Sequence, residues 1–170
     1  MSTILAIDPG SAQSGWVVID ADTRKPLGFG KTDNLELRER LGTAAPTAIK
    51  GDRAVIEMIA SYGMAVGAEV FETCVWIGLF HAAIEVHTDV EPELVKRKEI
   101  KIHLCHSNRA KDSNITQALV DRFAPGQPNH GKGTKADPGF FYGFKADIWQ
   151  AYALAVYAAD MRFESVGVAS

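Results

Sequence analysis

Two cysteines, Cys74 and Cys105, are all that the 170 residues contain, with no Cys-x-x-Cys pair and no histidine at zinc-finger spacing from either. That excludes a disulfide-stapled secreted fold and a zinc ribbon, and reads as two buried, reduced thiols. There is no basic excess either: 18 Lys and Arg stand against 21 Asp and Glu, a formal net charge of −3. A chain coated in positive charge is ruled out, but local basic patches, which are what grip phosphate backbones, are not. No uninterrupted run of 18 apolar residues occurs, and Asp8 breaks the apolar N-terminal stretch too early for a secretory signal. A cytoplasmic protein without a membrane anchor is therefore expected. Repeats and low-complexity blocks are missing too. With 46% hydrophobic residues, the chain suffices for one well-packed domain, read over residues 1–170, and is short for two.

What is present is a succession of short apolar stretches. Thr3–Ile7 and Trp16–Ile19 read as antiparallel strands around a Pro-Gly turn, and Pro26–Asp33 as a third strand that completes a meander. Asn34–Gly42 reads as a short amphipathic helix and Ala54–Met58 as a buried fourth strand. From about Val66 to Val86, Val70, Thr73, Cys74, Ile77 and Phe80 fall on one face of a long packed helix. Glu99–Cys105 alternates charged and apolar residues, the pattern of a half-buried fifth strand. Ala110–Phe123 reads as a helix with Asp112 or Ser113 as N-cap, and Lys145–Phe163 as an Ala-rich helix suited to close packing on a sheet. Between them, Ala124 to about Phe141 is too long for a simple connector, so it is either functional or disordered. The order predicts a mixed sheet flanked by helices.

Three acids sit where apolar residues would be expected or beside the long loop: Asp8 ends the first strand, Glu57 lies in the fourth, and Asp147 opens the last helix. An unpaired carboxylate in a core strand costs several kcal/mol unless something compensates it. Asp8 has three ways out. It can bond the amides of Gly10 or Ser11 in an Asx turn, hold the cation of a phosphate cradled by Gly-Ser amides as in actin-like sugar kinases, or ligate a metal. The kinase option needs a second phosphate loop and a second lobe, for which 170 residues leave no room. If the first and fourth strands are adjacent and parallel, all three acids converge.

Four segments, "ILAIDPGSAQSGWVVID", "AVIEMIASYGM", "NRAKDSNITQALVDRF" and "KADIWQAYALAVYA", follow one another in an order and spacing that resembles the RuvC-type Holliday junction resolvases, in particular the phage-borne branch. The resemblance spans Ile4 to Asp160. It implies an α/β, ribonuclease H-like fold with a mixed five-stranded sheet, and metal-dependent cleavage of four-way and other branched DNA in phage recombination. It implies two Mg²⁺ ions, replaceable by Mn²⁺, with Asp8 bridging them and Glu57 and Asp147 completing their shells. One departure stands out. The bacterial enzymes carry two aspartates at i, i+3 in the last helix, whereas here Asp147 is followed by Gln150. Gln150 can still ligate a metal through its amide oxygen or orient a water, and so stays a candidate site residue, but it is uncharged and a poorer base. Lys111 matches a family lysine near the scissile phosphate, with Lys101 a weaker match. Lys96, Arg97, Lys98, Lys101, Arg109 and Lys111 form a basic cluster able to neutralise several phosphates. Tyr62 is the candidate wedge on an unpaired base. His130, Lys132 and Lys135 lie in the loop expected over the site. Two symmetric cuts imply a homodimer, for which the Val66–Val86 helix is the candidate surface. The alternatives are a ribonuclease H-like nuclease of other nucleic acids and a junction-binding protein with weak or no catalysis.

Overall fold

β1 (Thr3–Asp8) pairs antiparallel with β2 (Gln13–Asp20), and β2 with β3 (Pro26–Asp33), as the turn residues between them require. The computed structural model describes residues 1–167; residues 168–170, the end of the stretch read as one domain, lie outside the described residues. On the other side of β1 lies β4 (Arg53–Met58), parallel to it, with the short β5 (Glu93–Lys96) parallel to β4. The five-stranded mixed sheet has the order β3-β2-β1-β4-β5.

β1 reads as an unbroken apolar run because both of its faces are covered. Ile4 and Ala6 join Val17, Ile19 and Val55 in one core, and Leu5 and Ile7 join Trp16, Ala54 and Ile56 in the other. α5 (Ala146–Gly167) closes the first core with α3 (Arg97–Cys105) and α4 (Asp112–Phe123). The alanines at 151, 153, 155 and 158 let α5 lie close along β1 and β2. α1 (Asn34–Leu41) and α2 (Ala68–His87) close the second core. By length and hydropathy alone α2 could cross a bilayer; its Ile77, Phe80 and Ile84 are instead buried against the sheet.

Several sequence expectations need correcting. Glu99–Cys105 is helix, not strand, and the fifth strand is Glu93–Lys96. Ile100 and Leu104, at i and i+4, pack inward while Ile102 is exposed, so the apparent period of two was incidental. The Glu99 carboxylate accepts the Lys96 backbone N–H at 2.9 Å and closes the first turn. Lys111, rather than Asp112 or Ser113, caps α4, with the Asn114 side chain accepting its N–H at 2.8 Å. Along α2, Val70 and Cys74 are only partly buried and the inward stripe runs on to Ile84. Both cysteines are partly rather than fully buried; burial still pushes the Cys105 thiol up, against the pull of Lys101, which disfavours the thiolate.

The long stretch after α4 is held by aromatics. Phe141 and Phe144 are buried with Trp149 and Tyr152, and Phe140 stacks on Phe123. Phe141 N–H donates to Gly131 O at 2.9 Å. Gly131, at φ +75°, has no room for a side chain, since a Cβ would stand 2.6 Å from the Ala124 Cβ.

Towards the C-terminal end of α5, Asp160 accepts from Arg24 at 2.8 Å and from Arg122 at 2.6 and 3.0 Å, and lies 2.8 Å from His103 Nε2. Burial alone would raise its carboxyl, but Arg122, His103 and Arg24 hold it well below the usual carboxylate range. Asp160→Asn is expected to cost about 1–3 kcal/mol in urea unfolding, because the largely buried Arg24 loses its counter-charge while the half-exposed Arg122 is screened by solvent. Since the folded pKa is depressed, that stability is present above the unfolded value of about 3.9 and lost as pH falls below it. An unchanged midpoint in the variant would mean that the cluster carries no net stability.

Candidate active site

One row across the sheet assembles the site. Asp8 pairs with Gly15, and Gly15 with Lys31. Ile7 pairs with Ile56 across the parallel strands, so the next residues, Asp8 and Glu57, are neighbours where β1 and β4 end. Paired residues share a face, and Ile4, Ala6 and Val55 place this one on the α5 side. Chain direction reverses here, since β1 continues into β2 on one side while β4 lies on the other; such switch points are where open α/β sheets bind ligands.

Gly15 is the gap in the row, and the start of α5 fills it. A Cβ there would stand 2.6 Å from the Asp147 carbonyl oxygen and 2.9 Å from the Asp147 Cβ. The missing side chain thus seats the third acid against the strand that faces Asp8. Gly15→Ala is expected to push the first turn of α5 outward and to cost about 1–3 kcal/mol in unfolding, with the circular dichroism spectrum retained. An unchanged stability in that variant would show that Asp147 need not sit where it does.

Behind the row, buried polar groups fix the β1–β2 turn. Ser14 Oγ donates to Asn34 Oδ1 at 2.6 Å, Gly10 N–H donates to Ser14 Oγ at 3.2 Å, and Asn34 Nδ2 donates to Gly10 O at 2.9 Å. The Gly10 amide is therefore spent on Ser14 rather than on Asp8, against the Asx-turn option. Asp8 is left to its neighbours. Burial first, then Glu57, with Asp147 and Asp112 adding and Arg97 opposing, push its carboxyl up to about 8. Burial raises Glu57 as well, against the pull of Arg97.

The structure brings together Asp8, Glu57, Asp147 and, from the basic cluster, Arg97. Arg97 Nη1 reaches both Glu57 oxygens, at 3.1 and 3.2 Å, and its Nη2 bonds Asp112. Lys31 Nζ binds Asp147 Oδ2 at 2.7 Å. Lys31 and Asp112 were missed by sequence reasoning. Lys31 could have been found from the meander register, which sets it two strands from Asp8; Asp112 was masked by its resemblance to a cap residue.

Gln150 is buried one turn beyond Asp147, and among the described residues no hydrogen bond joins it to the acids. Lys111 is exposed beside Asp112, Lys96 ends β5 opposite Met58, and Lys98 and Lys101 line a cleft that opens from Glu57. Tyr62 stands 66% exposed on the loop after β4. Arg109, His130 and Lys135 are exposed and Lys132 partly so; among the described residues none of them pairs with the acids.

Carboxylates are the donors that hard divalent cations take, and a cation beside Asp8 would offset the burial and the Glu57 charge that raise its carboxyl. Among the described residues, however, no three acids stand close enough to share one ion. The donor set fits a divalent metal in kind, while its spacing is that of a site closed on the chain's own Arg97 and Lys31.

No protein-family model matches the sequence, and no curated protein matches it in sequence. In fold the chain is similar to a Thermus thermophilus RuvC structure, with a TM-score of 0.65 at 14% identity over 95% of this chain and 96% of that one. It is likewise similar to T. thermophilus RuvC in complex with Holliday junction substrate, with a TM-score of 0.64 at 14% identity over 97% and 98%. The likeness covers nearly all of both chains and shows the fold: a five-stranded mixed sheet with helices on both faces, RuvC-like and of the ribonuclease H-like class.

Proposed function

We propose that the protein is a metal-dependent, structure-selective endonuclease that resolves four-way and other branched DNA by paired phosphodiester hydrolysis, acting as a homodimer in the cytoplasm during phage recombination. The observation that carries this reading is the acidic row itself: Asp8 and Glu57 side by side at the ends of two parallel strands, with Asp147 seated beside them by Gly15. Asp8, Glu57 and Asp147, with the Gln150 amide as a neutral fourth member, would hold two Mg²⁺ ions, or Mn²⁺ in their place. A bound pair supplies an activated water and a counter-charge for the leaving oxygen. Arg97 and Lys31 must then release Glu57 and Asp147, which leaves both cations free to meet the phosphate.

DNA would lie along the cationic side chains of Lys96, Lys98, Lys101, Arg109 and Lys111, with Lys132 and Lys135 as outlying contacts. Beyond Glu57 the loop exposes Tyr62, Met64 and Val66, an apolar tip suited to entering a branch point. A second copy is proposed to cover α2, whose outward side leaves Phe71, Val75 and Val86 in solvent. A catalytically silent junction-binding protein is the second reading, favoured by the neutral Gln150 and by acids that do not yet converge on one ion.

The test is cleavage of a synthetic four-way junction by the native chain and Asp8→Asn, with and without Mg²⁺ or Mn²⁺, beside linear duplex and RNA–DNA hybrid, and with binding followed separately. Paired nicks confined to branched DNA, dependent on metal and lost in the variant while binding survives, are expected. Tight binding without cleavage under either metal would establish the second reading; preference for the hybrid would make the protein a different ribonuclease H-like nuclease.

A further inference from the structure

β3 is an edge strand of the sheet, and among the described residues nothing besides β2 hydrogen-bonds the backbone of residues 27–30. On the face it shares with Trp16 and Val18, away from the acids, β3 carries glycine twice: Gly30 pairs with Trp16 and Gly28 with Val18. Gly30 is accounted for, since a Cβ there would stand 3.1 Å from the Trp16 indole. Gly28 is not. A Cβ there would meet nothing nearer than 3.7 Å, and no left-handed φ calls for glycine. A strand glycine weakens a sheet, and often marks a place where another chain or a ligand comes close.

The room left by Gly28 belongs to a cavity of about 230 Å³ between β3 and the segment that leads into β4. Trp16, Val18, Leu27 and Ile49 give it apolar walls, and Arg40 and Lys50 give it positive charge. Leu27 is the unpaired residue where the β2–β3 register shifts, and it stands 48% exposed. Arg40 is fixed in place: its Nε donates to Thr47 O at 3.0 Å, its guanidinium lies over the Trp16 ring, and the exposed Glu36 is 3.8 Å away. Lys50 is exposed, and among the described residues no carboxylate pairs with it.

An open strand edge is completed by another extended chain, and a large side chain across from a strand glycine lies over it, as Trp16 does over Gly30. The cavity is smaller than sites for free ligands, roughly 300–1,000 Å³, and suits one large side chain. We propose that the β3 edge docks an extended segment of a partner protein in which a large apolar residue and an acidic residue alternate on one face. The segment adds a strand beside β3, its apolar side chain fills the cavity over Gly28, and its acid, two residues along, meets Arg40 and Lys50. A second copy pairing antiparallel through its own β3 would offer that face only Gly28, Gly30 and Thr32, which supply neither the apolar group nor the charge.

The test pans a display library of random linear peptides of about ten residues, long enough for one strand, against the full chain. Enriched peptides are expected to share a large apolar residue with an acid two positions away, and the tightest of them should slow deuterium exchange at β3. Gly28→Val, whose branched side chain suits a strand and fills the cavity, should weaken that peptide at least about tenfold. Lys50→Glu, on an exposed loop, should weaken it about fivefold and carries the test alone if Gly28→Val does not fold. Junction cleavage should be unchanged in both variants. No enrichment, peptides without that pattern, or native affinity in the variants would overturn the assignment. Self-association lost in Gly28→Val would make a second copy the occupant, and displacement of the peptide by branched DNA would give the edge to nucleic acid; either result also overturns it. A native chain that binds the peptide as expected but cleaves no junction would sink the nuclease reading and leave this one standing.

Discussion

Asp8→Asn is expected to melt at a higher temperature than the native chain in metal-free buffer, and to cleave junction DNA about a thousandfold more slowly or worse. The two effects share a cause. Asp8 is held partly buried among Glu57, Asp147 and Asp112, which pushes its carboxyl from an unfolded value of 3.8 up to about 8. Between those values the folded chain keeps a proton that the unfolded chain has released. Metal-free stability therefore falls as pH rises from about 4 to about 8 and levels off beyond. Asparagine carries no such penalty, so the advantage of the variant should widen across that window and be largest above pH 8. Each kcal/mol is worth about 2–4 °C in a chain of this size. Mg²⁺ should reverse the order, stabilising the native chain and not the variant. A variant that melts below the native chain at pH 8 without metal would show that Asp8 is held by favourable contacts rather than against repulsion.

Arg97→Ala should move stability the other way. Its guanidinium bridges Glu57 and Asp112 beside Asp8, and removing it leaves three acids facing one another. Asp112 and part of Arg97 are solvent-exposed, which screens the interaction, so the expected loss is about 1–3 kcal/mol in metal-free unfolding. The decisive readout is a Mg²⁺ titration followed by thermal shift. Glu57 is no longer held by a competing cation, so half-saturation should come at a lower Mg²⁺ concentration than in the native chain, and the lost stability should return with the metal. Weaker Mg²⁺ binding would mean that Arg97 orients Glu57 for the ion instead of withholding it.

These expectations draw on a site that was only partly legible in the sequence. Asp8 and Glu57 could be read because a charge inside a buried strand has few explanations, and the parallel pairing of β1 with β4 follows from placing them together. Asp147 was legible as an acid at a helix start, but not the reason it is near Asp8. That reason is an absent side chain at Gly15, and a strand glycine has several uses that sequence does not separate. Arg97 was read as one of several lysines and arginines around a strand. With 97–105 folded as helix instead, Arg97 and Lys101 fall one turn apart on one side, and both face Glu57. The mistake lay in the true fifth strand: Glu-Leu-Val-Lys buries a single residue, Val95, too few to show a period.

On the nuclease reading proposed above, the pairing of Glu57, Asp112 and Asp147 with cations has a bearing on how the first encounter with DNA unfolds. The Asp8 carboxyl, pushed up to about 8 by burial and Glu57, adds little charge near neutral pH, and Lys31 and Arg97 stand against the other three acids, Glu57, Asp147 and Asp112. A catalytic centre made of bare acids would repel a polyanion at close range, and nucleic acid would have to wait until ions had filled it. This one is close to charge-matched from within. A phosphate backbone drifting towards it meets two positive groups already in place and only a slight excess of its own sign, so strand and ions can arrive in either order.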